Sequence, residues 1–268
     1  MLKKKGANMR RRELIMGLTG MTIANLSTPL AMAKPLEAAS SLKPTRYLDY
    51  DHKDMKAAIA EACTGATTDR EKAIGIFNFV RDRVRFGWDG RFYDMRASEV
   101  LKSGIGYCNT KSTLFCAMLR GAGIPARQHF VDISARILDG LLDPRTPYVD
   151  HSFVEVDLDG RTYSVDAYIV DRGLFDAART RLVREGRSLG YGVHRDGTCE
   201  WDGATDAFSQ YLRTGSDPAP STRDYGVYAD VEDFYRRGSR WNRLNIALRL
   251  GIPLYIPGPN ARAQALRS

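Results

Sequence analysis

Two spacings of apolar residues alternate along this chain of 268 residues, one of period near 3.6 and one of period 2. Thr68-Asp69-Arg70-Glu71 is a capping-box pattern, and Ile74, Phe77 and Val80 follow at helical spacing, which predicts a helix running to about Arg83. Val84-Arg85-Phe86-Gly87-Trp88 alternates briefly before a loop. Ala97 to Leu101 predicts a short helix closed by Ser103-Gly104. Leu114, Phe115, Met118 and Leu119 then mark one face of a further helix, with Gly121 placed to end it. Ala126 to Ile133 predicts a strand entered through Ile124-Pro125, followed by a polar loop with Pro144 and Pro147.

The clearest period-2 pattern is HSFVEVDLDGRTYSVDAYIV, His151 to Val170, in which Asp159-Gly160 separates two alternating runs. This is a hairpin signal. A two-residue turn at Asp159-Gly160 sets Val154 opposite Val165 and Phe153 opposite Asp166. His151, two residues from Phe153, then projects from the same face as Asp166, a diagonal neighbour at roughly 7–8 Å between backbones. The hairpin by itself builds a candidate His-Asp pair.

Elsewhere the pattern is weaker. Residues 34–50 carry prolines without periodicity and read as a linker or wrapping arm. Arg179 to Gly192 is basic and glycine-punctuated, Asp217 to Ser221 reads as a loop, and Val231 to Leu250 reads as one or two helices. No internal repeat or low-complexity tract divides the chain, so residues 51–268 are expected to form a single domain with a C-terminal extension.

The formal charge of +8 suggests a nucleic-acid footprint until it is placed along the chain. Lys3, Lys4, Lys5, Arg10, Arg11 and Arg12 against Glu13 account for most of it, and the mild remaining surplus argues against nucleic acid as a partner. The same basic segment precedes an apolar stretch from Leu14 to Ala24 and then Ala31-Met32-Ala33, a small-x-small cleavage pattern. Residues 1–33 are therefore read as a signal peptide. Its Arg11-Arg12 pair resembles a twin-arginine export signal, the alternative being an ordinary secretory signal. The expected location is outside the bacterial cytoplasm, periplasmic or secreted. Asn25, Ser27 and Pro29 interrupt the apolar stretch, so no stable membrane insertion is expected after cleavage.

Cys63, Cys108, Cys116 and Cys199 form no C-x-x-C pair, so no metal is expected, and at most one bridge, Cys63 with Cys199, would leave Cys108 reduced. Cys116 reads as packing. Cys108 follows Gly104-Ile105-Gly106-Tyr107 and opens a helix, where helix dipole and an adjacent imidazolium lower a thiol's pKa toward neutrality. With His151 as base and Asp166 behind it, Cys108 would complete an acyl-transfer triad. His129, on the strand after the cysteine helix, is the competing base, although a structural histidine is the simpler account of it.

Gly106-Tyr107-Cys108 before a helix, Gly123-Ile124-Pro125-Ala126-Arg127 after it, His151-Ser152-Phe153-Val154-Glu155-Val156, and Asp159-Gly160 to Val165-Asp166-Ala167 together resemble the transglutaminase-like superfamily of papain-like thiol enzymes. The resemblance covers roughly residues 65–170. It implies an α+β fold with the cysteine helix packed on an antiparallel sheet. It also implies Cys108 as nucleophile, His151 as general base then acid, Asp166 as orienting carboxylate, and no cofactor. The Cys108 backbone N–H would be one oxyanion donor. A second donor could come from Trp88 or Tyr93. The expected activity is acyl transfer at an amide bond of a peptide, protein or cell-wall-type substrate through a Cys108 thioester, hydrolysis being favoured over cross-linking. The alternative is a catalytically silent module that binds peptides or cell-wall polymers.

Overall fold

The computed structural model describes residues 42–212, 223–238 and 243–268. The signal-peptide reading of residues 1–33 and the loop reading of Asp217 to Ser221 lie outside the described residues. Helix α1 spans Lys53–Ala62 and α2 spans Asp69–Arg83, the latter opened by the Thr68–Glu71 capping box. Strand β1 (Arg85–Phe86), helix α3 (Ala97–Ser103) and strand β2 (Ile105–Gly106) follow, with β1 and β2 paired in parallel. Gly104 ends α3 in the left-handed conformation at φ 64°, which costs glycine little.

Helix α4 (Cys108–Gly121) is the centre of the molecule. It leads into β3 (Ala126–Ser134), a 3-10 turn (Ala135–Leu138), β4 (Tyr148–Leu158) and β5 (Arg161–Val165). Then come α5 (Arg172–Glu185), the short pair β6 (Leu189–Gly190) and β7 (Val193–His194), β8 (Arg223–Tyr228), α6 (Val231–Arg237), α7 (Ile246–Tyr255) and α8 (Pro257–Arg267). The main sheet is antiparallel with order β5-β4-β3-β8, and α4 packs on β3 and β4. This is the α+β arrangement expected.

Two expectations need correction. The apolar spacing in α4 suggested a helix with one buried face, yet every residue from Cys108 to Arg120 is buried. The sheet covers one side, while α1, α2 and α3 cover others, so even its polar side chains are enclosed. Gly121 is the last residue of the helix, as expected, and Gly123, at φ 84°, makes the turn into β3. The proposed Cys63–Cys199 bridge is also absent: all four cysteines are free thiols. Cys63 caps the end of α1, whereas Cys199 packs in the core and directs its thiol at Glu200.

The C-terminal region, little of which was legible, holds the front of the molecule in place. Arg267 donates to both carboxylate oxygens of Asp171 and to the Phe86 carbonyl, and Asp171 in turn accepts from the Phe86 N–H. Asn260 accepts from the Trp88 N–H and donates to the Trp88 carbonyl, at 2.9 and 2.8 Å. Arg262 donates to the Leu141 carbonyl. Helix α8 thus ties three separate segments of chain, 86–88, 141 and 171, to one element. By contrast, Ile246, Leu250 and Leu254 of α7 face solvent.

Burial works against the Asp171 carboxylate, but Arg267 outweighs it and holds its pKa below the ordinary value. Replacing Arg267 by Ala is expected to lower stability by about 2–3 kcal/mol, because it leaves a mostly buried carboxylate without its cation. Urea unfolding of the two proteins at neutral pH measures the difference.

Candidate active site

Local chain geometry explains why Cys108 starts its helix. Tyr107 is the extended N-cap residue, and its N–H donates to Thr110 Oγ1 at 3.0 Å. Gly106 has no room for a side chain, since a Cβ there would lie 2.8 Å from Thr110 Oγ1 and 2.9 Å from Lys111 Cγ. Glycine therefore lets β2 run against the first turn of α4 and delivers Cys108 to the N-terminus of that helix. The first N–H groups of a helix have no carbonyl partner within it, which leaves donors beside the thiol.

The hairpin places the other two residues. Asp159 and Gly160 both adopt positive φ, at 52° and 77°, and the register pairs Val154 with Val165 as the turn requires. His151 Nε2 lies 3.0 Å from Asp166 Oδ2, and both side chains are buried. The other ring nitrogen, Nδ1, is buried without a hydrogen-bond partner. Tyr211 stands edge-on to the imidazole, with centroids 5.4 Å apart. Cys108 and His151 line the same cavity, together with Asp150, Trp88 and Gln210.

Asp166 is held by residues that its sequence neighbourhood does not reveal. The N–H and hydroxyl of Ser209 both donate to Oδ1, and the Asp166 N–H donates to the Ala207 carbonyl. A carboxylate with donors on both oxygens is fixed in orientation and charge, so it directs the His151 ring. A second unforeseen group surrounds the thiol. Asn109 and the Tyr235 hydroxyl both donate to Asp150 Oδ2, at 3.0 and 2.5 Å. Residues 150, 209 and 235 come from three segments far from Cys108, and no spacing in the sequence signals them.

Burial pushes the Cys108 thiol above its ordinary pKa, and the Asp150 carboxylate adds to that, while the N–H groups of Ser152 and Asn109 act the other way. This differs from the depressed thiol expected for a helix N-terminus. At 8 % exposure Cys108 loses more solvation than the helix end returns. Of the two candidate second donors, Trp88 lines the cavity, whereas Tyr93 does not. Tyr93 instead stacks on Tyr235 and accepts the Leu244 N–H. Cys116 is fully buried in the core.

The family match follows the same segment: residues 57–167 match the model of the transglutaminase-like superfamily. The similarity to that superfamily lies in this segment of the chain. Among solved structures, it resembles "a Putative Cysteine Protease from Cytophaga hutchinsonii" at 22% identity, covering 51% of this chain and 44% of that one, with a TM-score of 0.40. It also resembles "a putative protease from Parabacteroides distasonis" at 16% identity, covering 47% of this chain and 26% of that one, with a TM-score of 0.33. Both likenesses are partial, since this chain spans less than half of either. No curated protein matches it.

His129 is not part of this site. Its Nδ1 pairs with Glu155 at 2.7 Å and its Nε2 with Asp224 at 2.6 Å, so both ring nitrogens are engaged across the sheet. Burial disfavours the imidazolium, but the two carboxylates outweigh it and raise the pKa. The linkage has a definite sign. The pair's contribution is full below the unfolded histidine value of about 6.5 and is lost as pH rises through the higher folded value. The stability advantage of the native protein over His129→Gln should therefore be largest at mildly acidic pH and shrink on the alkaline side, as read by urea midpoints from about pH 5.5 to about pH 9.

Among the described residues, no cluster of His, Cys, Asp and Glu could hold a metal ion, and no helix is long and apolar enough to cross a membrane.

Proposed function

We propose that Cys108, His151 and Asp166 form a catalytic triad for acyl transfer at an amide bond of a peptide, protein or cell-wall-type substrate, with water as the usual acceptor. The observation that carries this reading is the His151 ring, bonded through Nε2 to a buried carboxylate and open at Nδ1, in the cavity that Cys108 lines.

Because burial favours the neutral thiol, proton transfer accompanies attack. His151 Nδ1 takes the thiol proton as Cys108 Sγ bonds to the substrate carbonyl carbon. The Cys108 N–H stabilises the resulting oxyanion, and the indole N–H of Trp88, a residue of the cavity wall, is the candidate second donor. Collapse expels the amine, which takes the proton from His151 and leaves a thioester. Water then attacks with His151 again as base, the acid leaves, and the thiol regains its proton. Asp166 keeps the ring in the tautomer that presents Nδ1 as acceptor, and stabilises it once protonated.

The second reading, a silent binding module, is favoured by one observation: the thiol is nearly covered, and its surroundings hold it neutral. Residues 1–33 support a further proposal, export from a bacterial cytoplasm, for which the mature protein should begin near Lys34 when its N-terminal mass is measured.

Treatment with 4-nitrophenyl acetate should give a burst of 4-nitrophenol and an acetylated Cys108 by mass spectrometry. Cys108→Ala should abolish both, and His151→Ala and Asp166→Asn should slow acylation about 10²-fold or more. A protein that neither acylates nor hydrolyses peptide amides favours the binding module. An excess of a simple amine diverting the product to an amide would show transamidation instead.

The pH dependence of alkylation follows from the same environment. Labelling of Cys108 by iodoacetamide should climb through the alkaline range without an acidic plateau, since the pKa is raised. Asp150→Asn removes a charge that raises it, so its profile should move to lower pH, with intact mass as the readout.

A further inference from the structure

The cavity beside Cys108 has a volume of about 180 Å³. Phe86, Trp88 and Phe92 contribute to its lining from the segment that follows α2, and Ile137, Leu138 and Leu142 from the 3-10 turn and the loop after it. Its polar side chains are few. Cys108 and His151 belong to the triad, Gln210 gives its amide N–H to the Gly192 carbonyl, Asp150 adds negative charge, and Tyr107 brings a buried hydroxyl without a hydrogen-bond partner. No lysine or arginine is among the lining residues.

We infer that this cavity is a specificity pocket for a bulky apolar side chain, aromatic or branched aliphatic, on the residue that supplies the acyl group. The inference rests on the reading of Cys108 as nucleophile and adds the substrate class to it. A dry cavity near 150 Å³ lined by Leu, Ile and Phe is enough to hold a benzene ring, so a phenyl or isobutyl group fits this volume. Filling it removes apolar surface from water on both sides. An acidic side chain entering it loses its hydration, meets no cation and faces Asp150, so it is rejected.

The walls are also firm. Asn260 pins Trp88 by its backbone, and Arg262 holds Leu141, next to Leu142. A pocket whose sides are tied to one helix discriminates by shape, since it cannot open to admit a poor fit without breaking those bonds.

The test uses the chloromethyl ketones of acetyl-Phe, acetyl-Leu, acetyl-Gly and acetyl-Glu, which alkylate a cysteine without requiring turnover. Each inactivation rate is divided by the iodoacetamide rate to remove the intrinsic reactivity of the thiol. The Phe and Leu reagents should exceed the Gly reagent by about tenfold or more, with the Glu reagent at or below Gly. In Leu142→Asn, which makes the cavity wall polar in a half-buried position, the Phe-to-Gly ratio should narrow severalfold. Equal ratios, or a fastest Glu reagent, with Cys108 as the labelled residue would overturn the pocket and leave the nucleophile standing. Failure of every reagent, iodoacetamide included, to label Cys108 would overturn both.

Discussion

A helix enclosed on every side must find partners for its polar residues inside the protein, and α4 meets that constraint with the elements that carry the site. Ser112 donates to the Ser152 carbonyl and shares a hydrogen bond with the Tyr168 hydroxyl. Asn109 reaches Asp150 and Tyr235, and Thr113 donates to the Asn109 carbonyl. Lys111, whose pKa desolvation draws down to about 7, gives its ammonium to the Val84 carbonyl. An unpaired buried polar group costs about 1–3 kcal/mol, so the bonds to Ser152, Asp150 and Val84 help lock the helix against β4 and the 84–88 segment. The result is that Cys108 cannot shift relative to His151 without breaking the core.

The same enclosure sets the chemistry. A thiol so deeply placed is held neutral, and it shares its cavity with a histidine that has one nitrogen on a buried carboxylate and the other without a hydrogen-bond partner. The C-terminal helix belongs to this arrangement as well, since the Asp171–Arg267 pair and the Asn260 bonds fasten chain segments that line the cavity. Site geometry and fold stability share these contacts, so changes in the last helix reach the mouth of the site through the backbone of Trp88.

Much of the central segment was legible because its determinants are local. The Thr68 capping box, the Gly104 stop and the Asp159-Gly160 turn each depend on residues within a few positions, and all three appear as read. The turn matters most, since its two residues set the strand register, and the register alone decides that His151 and Asp166 share a face. The region after Val170 was obscure for the opposite reason. Its α5 carries charged residues over an interrupted apolar stripe, and β8 finds its place only by pairing with β3, some ninety residues earlier in sequence.

The chain by itself determined the order of its central elements, the hairpin register and the start of the cysteine helix, because capping, turn chemistry and side-chain period act between neighbours. Only the tertiary structure decided that α4 is buried all round, that Ser209 anchors Asp166, that Asp150 and Tyr235 stand by the thiol, and that Trp88 rather than Tyr93 lines the cavity. Those facts depend on contacts between distant segments and on solvation lost when they meet. No period or motif encodes either, which is why the thiol expected to be acidic is instead held neutral by its burial.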